Sequence, residues 1–204
     1  VPGLAGVFRL DISADGNTLY SASYDSDNVS TFQRNPATGA LSFLGTASNG
    51  AQESDGQIIS GLNAASSVRV SPDGRYVFAT GYGSAAVAIF ERDQQSGALD
   101  YVQTIARQAN GIPALQGARD ITIASDMRSI HVTGYLDDSV VTLRFANPQA
   151  ALTSLAPASA HAGSSDMLLT VNGERFVPGA ILRWNNINIT PSFVSEGEVR
   201  AIID

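Results

Sequence analysis

The chain has 204 residues, with 12 Lys or Arg against 19 Asp or Glu, so its formal net charge is −7. This acidic balance argues against a nucleic-acid-binding protein, which normally presents a basic surface to the phosphates. Hydrophobic residues make up 44% of the chain, and no apolar run reaches the roughly 20 residues that cross a bilayer, so we expect a globular protein without a membrane span.

A repeated segment occupies the first part of the chain. Residues 10–44 align without gaps with residues 68–102, with 11 identities in 35 positions, and a more divergent copy begins at Ile121. The copies are 58 and 53 residues apart, and self-similarity at such a period is typical of repeat architectures. We therefore expect three copies of one structural unit, starting near residues 3, 61 and 114.

Each copy shows the pattern of short β-strands. Apolar residues alternate with a period of two, as where Val68 and Val70 flank Arg69, and this period predicts strands. Segments rich in Gly, Asp and Ser separate the strands, because these residues favour turns. The predicted turns lie at 13–16, 24–28 and 36–39 in the first copy and at 71–74, 82–86 and 94–97 in the second. Four antiparallel strands per copy are typical of a β-propeller blade.

Motifs at fixed offsets resemble those of the lactonase-type (phosphogluconolactonase-like) β-propeller family. In the first two copies Asp-Gly follows the first strand, Phe-x-Arg ends the third and Gly-Ala-Leu opens the fourth. The resemblance covers residues 1–148 and implies blade architecture. As a reaction it implies hydrolysis of a sugar lactone, but it carries over no catalytic residue, since the matched motifs are turns and core positions.

The third copy predicts an incomplete last blade. Asp126 is followed by Met127 where the other copies have Asp-Gly, and no Gly-Ala-Leu follows Phe145. Three blades also fall short of the roughly 4–8 that close a ring. Our interpretation is that further blades precede this segment, or that partner chains complete the arc.

Residues 149–204 lack blade motifs and resemble the IPT/TIG immunoglobulin-like family. The resemblance rests on a Pro-Ala-Ser-Ala turn, the strand Leu-Leu-Thr-Val-Asn from Leu168, and Gly-Glu-Arg-Phe-Val-Pro-Gly-Ala before Trp184. It implies an immunoglobulin-like β-sandwich, short of its final strands, in which Phe176 and Trp184 pack in the core. The predicted fold is thus all-β, a partial propeller followed by a sandwich.

Few residues point to catalysis by a known motif. The segment 81–86 matches the dinucleotide pattern Gly-x-Gly-x-x-Ala, but that pattern requires a following helix, whereas a strand is predicted here. The chain has no cysteine, which excludes disulfides and thiolate catalysis. His131 aligns with Tyr20 and Phe78 and is expected to replace a packed aromatic side chain, while His161 lies in a turn of the second domain. We predict no cofactor.

The turns contain weak candidates for a metal site. Asp25 and Asp27 offer clustered oxygens, and Asp137 and Asp138 lie in the equivalent turn. A calcium loop of the EF-hand type needs a further ligand, a mid-loop glycine and a distant glutamate, which are absent at that spacing. Solvated turns are therefore the favoured interpretation, and no metal site is predicted.

Candidate binding residues lie in the loops between blades, because propellers usually bind ligands on one face. Glu53 and Asp55 belong to the polar connection 46–67. Arg119 and Asp120 are expected immediately before an innermost strand, and Arg69 is expected to face the channel. The alternative is that the two acids only solvate a long loop and that Arg119 pairs with Asp120.

Two functions remain open from the sequence. The first is a binding or structural module that acts by protein–protein or glycan recognition and assembly, in which other chains, including copies of this one, add to open sheet edges. Its localisation would be extracellular or at a bacterial cell surface, with the periplasm as an alternative. The second is a lactonase-like hydrolase that acts on a sugar lactone at the central face. The sequence favours the non-catalytic function.

Overall fold

The computed structural model describes residues 3–108, 112, 114–144, 150–159, 166–176, 180–185 and 187–203. The chain divides into two compact units, Val1–Phe145 and Ala146–Asp204. The regular structure of the described residues is β-strand, apart from a single 3-10 turn at Tyr135–Asp137. The prediction of an all-β fold is confirmed. In the same residues no helix has the length and apolar character needed to span a membrane.

Three antiparallel sheets, which we call blades 1 to 3, form the first unit. Blade 1 contains β1 (Val7–Ile12), β2 (Thr18–Ser23), β3 (Asn28–Arg34) and β4 (Leu41–Ser48). Blade 2 contains β5 (Ala65–Val70), β6 (Tyr76–Gly81), β7 (Ala86–Arg92) and β8 (Leu99–Ala106). Blade 3 contains β9 (Ala118–Ile123), β10 (Ser129–Gly134) and β11 (Ser139–Arg144). Within each blade the strands pair in chain order, so the predicted partial propeller is confirmed.

The Asp-Gly turns explain one repeated motif. Gly16 and Gly74 have φ values of +72° and +73°, a conformation that glycine adopts without the steric cost of a Cβ atom. Met127 occupies the corresponding position in blade 3 with a φ of +60°. The third turn therefore keeps the backbone shape of the other two although the glycine is missing.

Each pair of neighbouring blades shares a hydrophobic core. Between blades 1 and 2, Tyr20 and Val29 pack against Val68, Val77 and Phe90. Between blades 2 and 3, the core is formed by the following buried residues: Phe78, Val87, Ile89, Leu115, Ala118, Ile121, Ile130, Val132 and Leu143. Burial of this apolar area is the main favourable term that holds the blades together.

The turn after the second strand of each blade also binds the connection that leads into that blade. Ser26 Oγ accepts a hydrogen bond from the amide of Ala5, and Ser84 Oγ accepts one from the amide of Asn63. In blade 3 the carboxylate of Asp137 accepts two, from the amides of Leu115 and Gln116. A hydrogen bond from a backbone amide to a side chain of this turn thus fixes the path of the chain at the start of all three blades.

The second unit contains β12 (Ala151–Ala156), β13 (Met167–Glu174), β14 (Leu182–Trp184), β15 (Ile187–Ile189), β16 (Ser192–Ser195) and β17 (Glu198–Ile203). Four of these strands form a sheet in the order β12-β13-β17-β16, and β14 and β15 form a hairpin. Phe176 is buried in the core with Leu169 and Val199, and Trp184 of the hairpin packs against that core. The prediction of a core position is confirmed for Phe176, whereas Trp184 is only partly buried and packs against that core.

Candidate functional site

The first strands of the three blades lie side by side and bring three charged residues together. β1 contacts β5, and β5 contacts β9. Asp120 of β9 forms ion pairs with Arg9 of β1 at 3.1 Å and with Arg69 of β5 at 3.7 Å. One carboxylate therefore links the innermost strands of all three blades. These side chains remain partly exposed, 38% for Asp120 and 28% for Arg69, so solvent and small molecules can reach them.

Hydrogen bonds hold Asp120 in a fixed position. Its Oδ1 atom accepts a hydrogen bond from Ser67 Oγ at 2.8 Å and one from the amide of Ile121 at 3.0 Å. Its own amide donates to Thr133 Oγ1 at 2.9 Å. Nearby, Asp11 accepts a hydrogen bond from the amide of Val70 at 2.8 Å and so ties β1 to β5. The carboxylate of Asp120 is thus preorganised by partners on two blades, as groups in binding and catalytic sites commonly are.

A cavity of about 440 Å³ is lined by residues of the same three innermost strands. Its lining includes Phe8 of β1, Ser66 of β5 and Arg119 of β9, but not the ion-paired residues Arg9, Arg69 and Asp120. The complete lining is Gly6, Val7, Phe8, Tyr24, Asp25, Ser66, Tyr82 and Arg119. We call it the central cavity; its volume lies within the range of small-molecule sites.

A row of four aromatic side chains crosses the blades, and three of them line the central cavity. Tyr24, Tyr82 and Tyr135 each follow the second strand of their blade, so the repeat places one ring at the same point of every blade. The ring centroids of Tyr24 and Tyr82 are 6.0 Å apart, and those of Tyr82 and Tyr135 are 6.4 Å apart. Phe8 extends the row, 6.4 Å from Tyr24. Such rings offer apolar faces on which a planar or sugar ring can stack.

Arg119 lies between two of these rings. Its guanidinium carbon is 4.9 Å from the ring centroid of Tyr135 and 5.9 Å from that of Phe8, distances at which cation–π attraction operates. The side chain is exposed, and among the described residues it has neither an ion pair nor a hydrogen bond. The cavity therefore holds an unpaired positive charge whose position is fixed by aromatic neighbours.

The structure brings together two of the residues that the sequence singled out, Arg69 and Asp120, and places a third, Arg119, in the lining of the central cavity. One detail of that prediction is wrong: Arg119 and Asp120 lie within β9, not before it, because the chain enters the strand at Ala118. Arg119 also does not pair with Asp120, whose partners are Arg9 and Arg69. Sequence reasoning missed Arg9 and the tyrosine row, although Tyr24 and Tyr82 were among the repeat identities.

Glu53 and Asp55 lie apart from the central cavity. Glu53 lines a second cavity of about 390 Å³, which is otherwise formed by β3, β4 and the chain around the β7–β8 turn. Burial and the nearby charges of Asp100 and Asp55 raise the pKa of Glu53. Asp55 is exposed, and hydrogen bonds from the amide and side chain of Gln57 lower its pKa. Neither residue takes part in the Asp120 cluster.

The weak metal candidates have other surroundings. Asp27 Oδ1 accepts a hydrogen bond from the amide of Ala64 at 2.6 Å, so this carboxylate fixes the connection into blade 2. Asp25 lines the central cavity, and Asp137 binds the backbone amides that lead into blade 3. In the part of the chain that the structure describes, no group of three or more His, Asp or Glu residues is arranged to hold a metal ion.

The remaining candidates have structural explanations. His131 is half-buried, and its ring nitrogens lie within hydrogen-bond distance of Ser129 Oγ and Thr142 Oγ1, at 3.2 and 3.1 Å. His161 lies outside the described residues. In the segment 81–86, which resembles a dinucleotide motif, a Cβ atom at Gly81 would lie 2.2 Å from the carbonyl oxygen of Gly61. The glycine is needed for this close approach of two chain segments.

Comparison with known protein families identifies the first unit. The family model described as lactonase, 7-bladed β-propeller, matches residues 51–165. The chain belongs to the lactonase seven-bladed β-propeller family. A search of curated proteins found no match. The resemblance of the blade motifs to lactonase-type propellers is thereby confirmed, whereas no comparison identifies an IPT/TIG domain.

Solved structures show the same propeller fold as this lactonase-family chain. A periplasmic gluconolactonase of Pseudomonas aeruginosa has 23% identity and a TM-score of 0.58, with 73% of this chain and 38% of that chain covered. A putative 6-phosphogluconolactonase of Bacteroides fragilis has 23% identity and a TM-score of 0.55, with 71% and 36% covered. A functionally unknown protein of Desulfotomaculum acetoxidans has 16% identity and a TM-score of 0.54, with 71% and 41% covered. The chain thus spans less than half the length of these proteins.

Proposed function

We propose that the natural protein containing this chain hydrolyses a sugar lactone at the central cavity. The observation that carries the proposal is the meeting of Arg9, Arg69 and Asp120 on three innermost strands, each of which also contributes residues to a cavity lined by aromatic rings. Membership of the lactonase family supports it. The names of two structural neighbours, a gluconolactonase and a putative 6-phosphogluconolactonase, point to the same reaction class.

Lactone hydrolysis needs a group that accepts a proton from water and a group that stabilises negative charge on the carbonyl oxygen. In the proposed mechanism Asp120 accepts the proton as water attacks the carbonyl carbon. Arg69 donates a hydrogen bond to the carbonyl oxygen, on which negative charge develops. The ring C–O bond then breaks, and the proton passes to the former ring oxygen, so that water and lactone yield one hydroxy acid.

The test compares two aspartates that the sequence singled out and the structure separates. The variants Asp120→Asn and Asp55→Asn are prepared in the full natural protein. Hydrolysis of glucono-δ-lactone and of 6-phosphogluconolactone is measured through the acid that each reaction releases. We expect Asp120→Asn to lower kcat by about 100-fold or more, since a general base contributes on that order. Asp55→Asn, an exposed loop variant, is expected to keep wild-type activity.

Two results would contradict this proposal. If the Asp120→Asn variant is folded and keeps full activity, the carboxylate of Asp120 is not the group that accepts the proton. A loss of activity in Asp55→Asn or Glu53→Gln, but not in Asp120→Asn, would move the reaction to the second cavity.

A second candidate function is binding of another β-sheet by blade 1, and one observation favours it. Val7, Leu10 and Phe43 have exposed fractions of 44%, 55% and 39%. The equivalent positions in blade 2 are Ala65, Val68 and Tyr101, which belong to the core shared with blade 1 or pack against it. Blade 1 therefore presents to the outside the same apolar face that blade 2 buries, and such faces mark interaction sites.

Sedimentation of the chain tests this candidate. Self-association that is abolished by Leu10→Asp, and not by Ile187→Asp in the second unit, supports binding through blade 1. Ile187 is a matched control because it is also exposed, at 65%. A folded wild-type chain that stays monomeric at high concentration would rule out self-assembly through this face.

We further propose that the second unit is an immunoglobulin-like spacer of the IPT/TIG type and that the protein works outside the cytoplasm. The proposal for the fold rests on the sequence motifs and on the sheet and hairpin that share one core around Phe176. The proposal for the location is supported by the name of one structural neighbour, a periplasmic gluconolactonase. Fractionation of the source organism tests it: recovery of the natural protein in the cytoplasm alone would contradict it.

A further inference from the structure

We propose that the second cavity is a binding site for a small organic cation, an aliphatic primary amine in its ammonium form. This cavity is lined by residues of blade 1, blade 2 and the connection between them, and the inference is independent of the proposed reaction. Three features of the lining carry it: an unpaired carboxylate, a buried hydroxyl group without a partner, and apolar surface beside both.

The repeat shows why blade 1 has space at this point. Thr31 of β3 pairs directly with Gly45 of β4, so their side-chain positions lie on the same face of the sheet. The equivalent pair in blade 2 is Ile89 and Gln103, and Ile89 is buried in the core shared with blade 3. No atom lies within 4 Å of a Cβ atom at Gly45. Thr31 and Gly45 thus line a cavity of about 390 Å³ where blade 2 has an isoleucine.

Glu53 supplies a negative charge to this cavity. The side chain is half-buried, and among the described residues its carboxylate has neither an ion pair nor a hydrogen bond. Burial and the charges of Asp100 and Asp55 raise the pKa of Glu53, so the surroundings oppose its ionised form. A cation bound in the cavity would offset both the burial and the repulsion.

Thr31 adds a hydrogen-bond acceptor to the same lining. The residue is only 5% exposed, and its hydroxyl group has no hydrogen-bond partner in the part of the chain that the structure describes. Buried polar side chains normally have such a partner, because a missing one costs stability. An ammonium group has three N–H donors, so one ligand group can donate to both Glu53 and Thr31.

The remaining lining suits a hydrocarbon body. Leu44, Ala47, Ala98 and Leu99 supply apolar surface. Ser96 is already engaged, since its Oγ donates to Asp93 at 2.9 Å and accepts from the amide of Ala98 at 3.2 Å. An alkylammonium ion, which has one charged end and a chain of methylene groups, matches this combination.

A metal ion fits the lining less well than an amine. Calcium takes about six to eight oxygen ligands, and magnesium needs a nearly octahedral set. Glu53 is the carboxylate that lines the cavity, and the described residues contain no group of three or more His, Asp or Glu arranged for a metal. A single carboxylate beside a hydroxyl group suits a monovalent ammonium instead.

The test follows binding by NMR in the full natural protein. The methyl resonances of Leu44 and Leu99, both in the cavity lining, are recorded during titration with butylamine at pH 7, where an alkylamine is charged as lysine is. We expect both resonances to shift with one dissociation constant. Leu168 of the second unit is the matched control, because it is also exposed, at 57%, and should not shift. The neutral analogue 1-butanol should bind at least about 10-fold more weakly.

Four variants separate the contributions to binding. Glu53→Gln is expected to weaken butylamine binding by about 10-fold or more, because a charged hydrogen bond is lost. Thr31→Val keeps the size of the side chain but removes the hydroxyl group, and a loss of about threefold to 10-fold is expected. Gly45→Val should fill the cavity and abolish binding. Asp55→Asn is the control, since this exposed carboxylate is engaged by Gln57, and it should change the affinity less than about threefold.

Three results would overturn the inference. They are unchanged Leu44 and Leu99 resonances at up to about 100 mM butylamine, equal affinities for butylamine and 1-butanol, and wild-type affinity in Glu53→Gln. Tighter binding of calcium ions than of butylamine, seen at the same two resonances, would also overturn it and assign the cavity to a metal. If Gly45→Val does not fold, Glu53→Gln and Thr31→Val still decide the question.

Discussion

Arg92 of blade 2 donates a hydrogen bond from its Nε atom to the phenolic oxygen of Tyr20 in blade 1, at 2.9 Å. The same guanidinium donates to Thr18 Oγ1 at 3.0 Å and to Asp15 at 3.3 Å, both in blade 1. The hydroxyl of Tyr20 in turn donates a hydrogen bond to the carbonyl oxygen of Gly97, at 2.8 Å. The arginine of the Phe-x-Arg motif is therefore a buried cross-link between two blades.

Replacement of this arginine is expected to destabilise the first unit. Arg92→Met leaves several buried acceptors without a donor, and we expect the free energy of unfolding to fall by about 3 kcal/mol, as when one partner of a buried ion pair is removed. Arg34→Met is the matched control, because Arg34 is the equivalent residue of blade 1 and, among the described residues, its side chain donates only to the carbonyl oxygen of Gly16. Urea unfolding of both variants measures the difference. An equal effect in the two would show that the contacts across the blades contribute nothing.

The pH dependence of stability should reflect Asp15. Burial alone would raise its pKa, but hydrogen bonds from Ser13 and Asn17 and the charge of Arg92 outweigh burial, so the pKa of Asp15 lies below its ordinary value. A lowered pKa in the folded state adds stability above the unfolded pKa, and this contribution is lost as the pH falls through the folded value. We expect the Tm to drop more steeply below about pH 4 in the wild type than in Asp15→Asn. The same dependence of Tm on pH in the wild type and in Asp15→Asn would contradict the stabilising role of the Asp15 carboxylate at neutral pH.

Glycine is required at one position where two chain segments meet. A Cβ atom at Gly81 would approach the carbonyl oxygen of Gly61 to 2.2 Å, and we expect Gly81→Ala to lower the free energy of unfolding by about 2 kcal/mol or more through overpacking. Gly45→Ala in β4 is the control, since no atom lies within 4 Å of a Cβ atom there. It should be neutral or slightly stabilising. Thermal unfolding of both variants gives the comparison, and a neutral Gly81→Ala would show that the 61–63 segment can move away.

Glu53 should destabilise the protein slightly when it is ionised. Burial and the charges of Asp100 and Asp55 raise the pKa of Glu53 in the folded protein. The folded state therefore favours the neutral carboxyl group. This contribution to stability is present below the pKa of the unfolded state and is lost as the pH rises through the pKa of the folded state. Glu53→Gln is therefore expected to raise the Tm at pH 7, by an amount on the order of 1 °C. Asp55→Asn should act in the opposite direction, because hydrogen bonds from Gln57 lower the pKa of Asp55. Scanning calorimetry at pH 4 and pH 7 distinguishes the two, and a lower Tm in Glu53→Gln would refute the assignment.

The repeat made most of the fold predictable from the sequence. Identities such as Gly16 with Gly74 mark turns that need positive φ, and these turns depend only on local conformation. The same alignment placed Arg69 on an innermost strand and Arg119 and Asp120 next to one, because equivalent residues of successive blades occupy equivalent places. The row of Tyr24, Tyr82 and Tyr135 was visible as a repeat identity, but identity alone does not tell a structural ring from one that lines a cavity.

The long connection between blades 1 and 2 could not be placed from the sequence. Its path depends on contacts between distant residues, such as the hydrogen bond from the amide of Leu62 to the side chain of Asn49 and that from Ala64 to Asp27. These contacts fold the loop so that Glu53 lines the second cavity and not the central one. A polar composition predicts that a loop is exposed, but it does not tell on which side of the blade the loop lies.

The hydrogen bonds between each turn and the connection that leads into the same blade bear on how a propeller can gain blades by gene duplication. Ala5 and Ser26 are both in the first repeat, and Asn63 and Ser84 are both in the second, so donor and acceptor are copied together. A duplicated repeat therefore carries both the donor and the acceptor of this hydrogen bond and needs no new partner in another blade. Substitutions in one copy can then accumulate at cavity positions, such as Arg119 in blade 3, while the attachment of the blade is preserved.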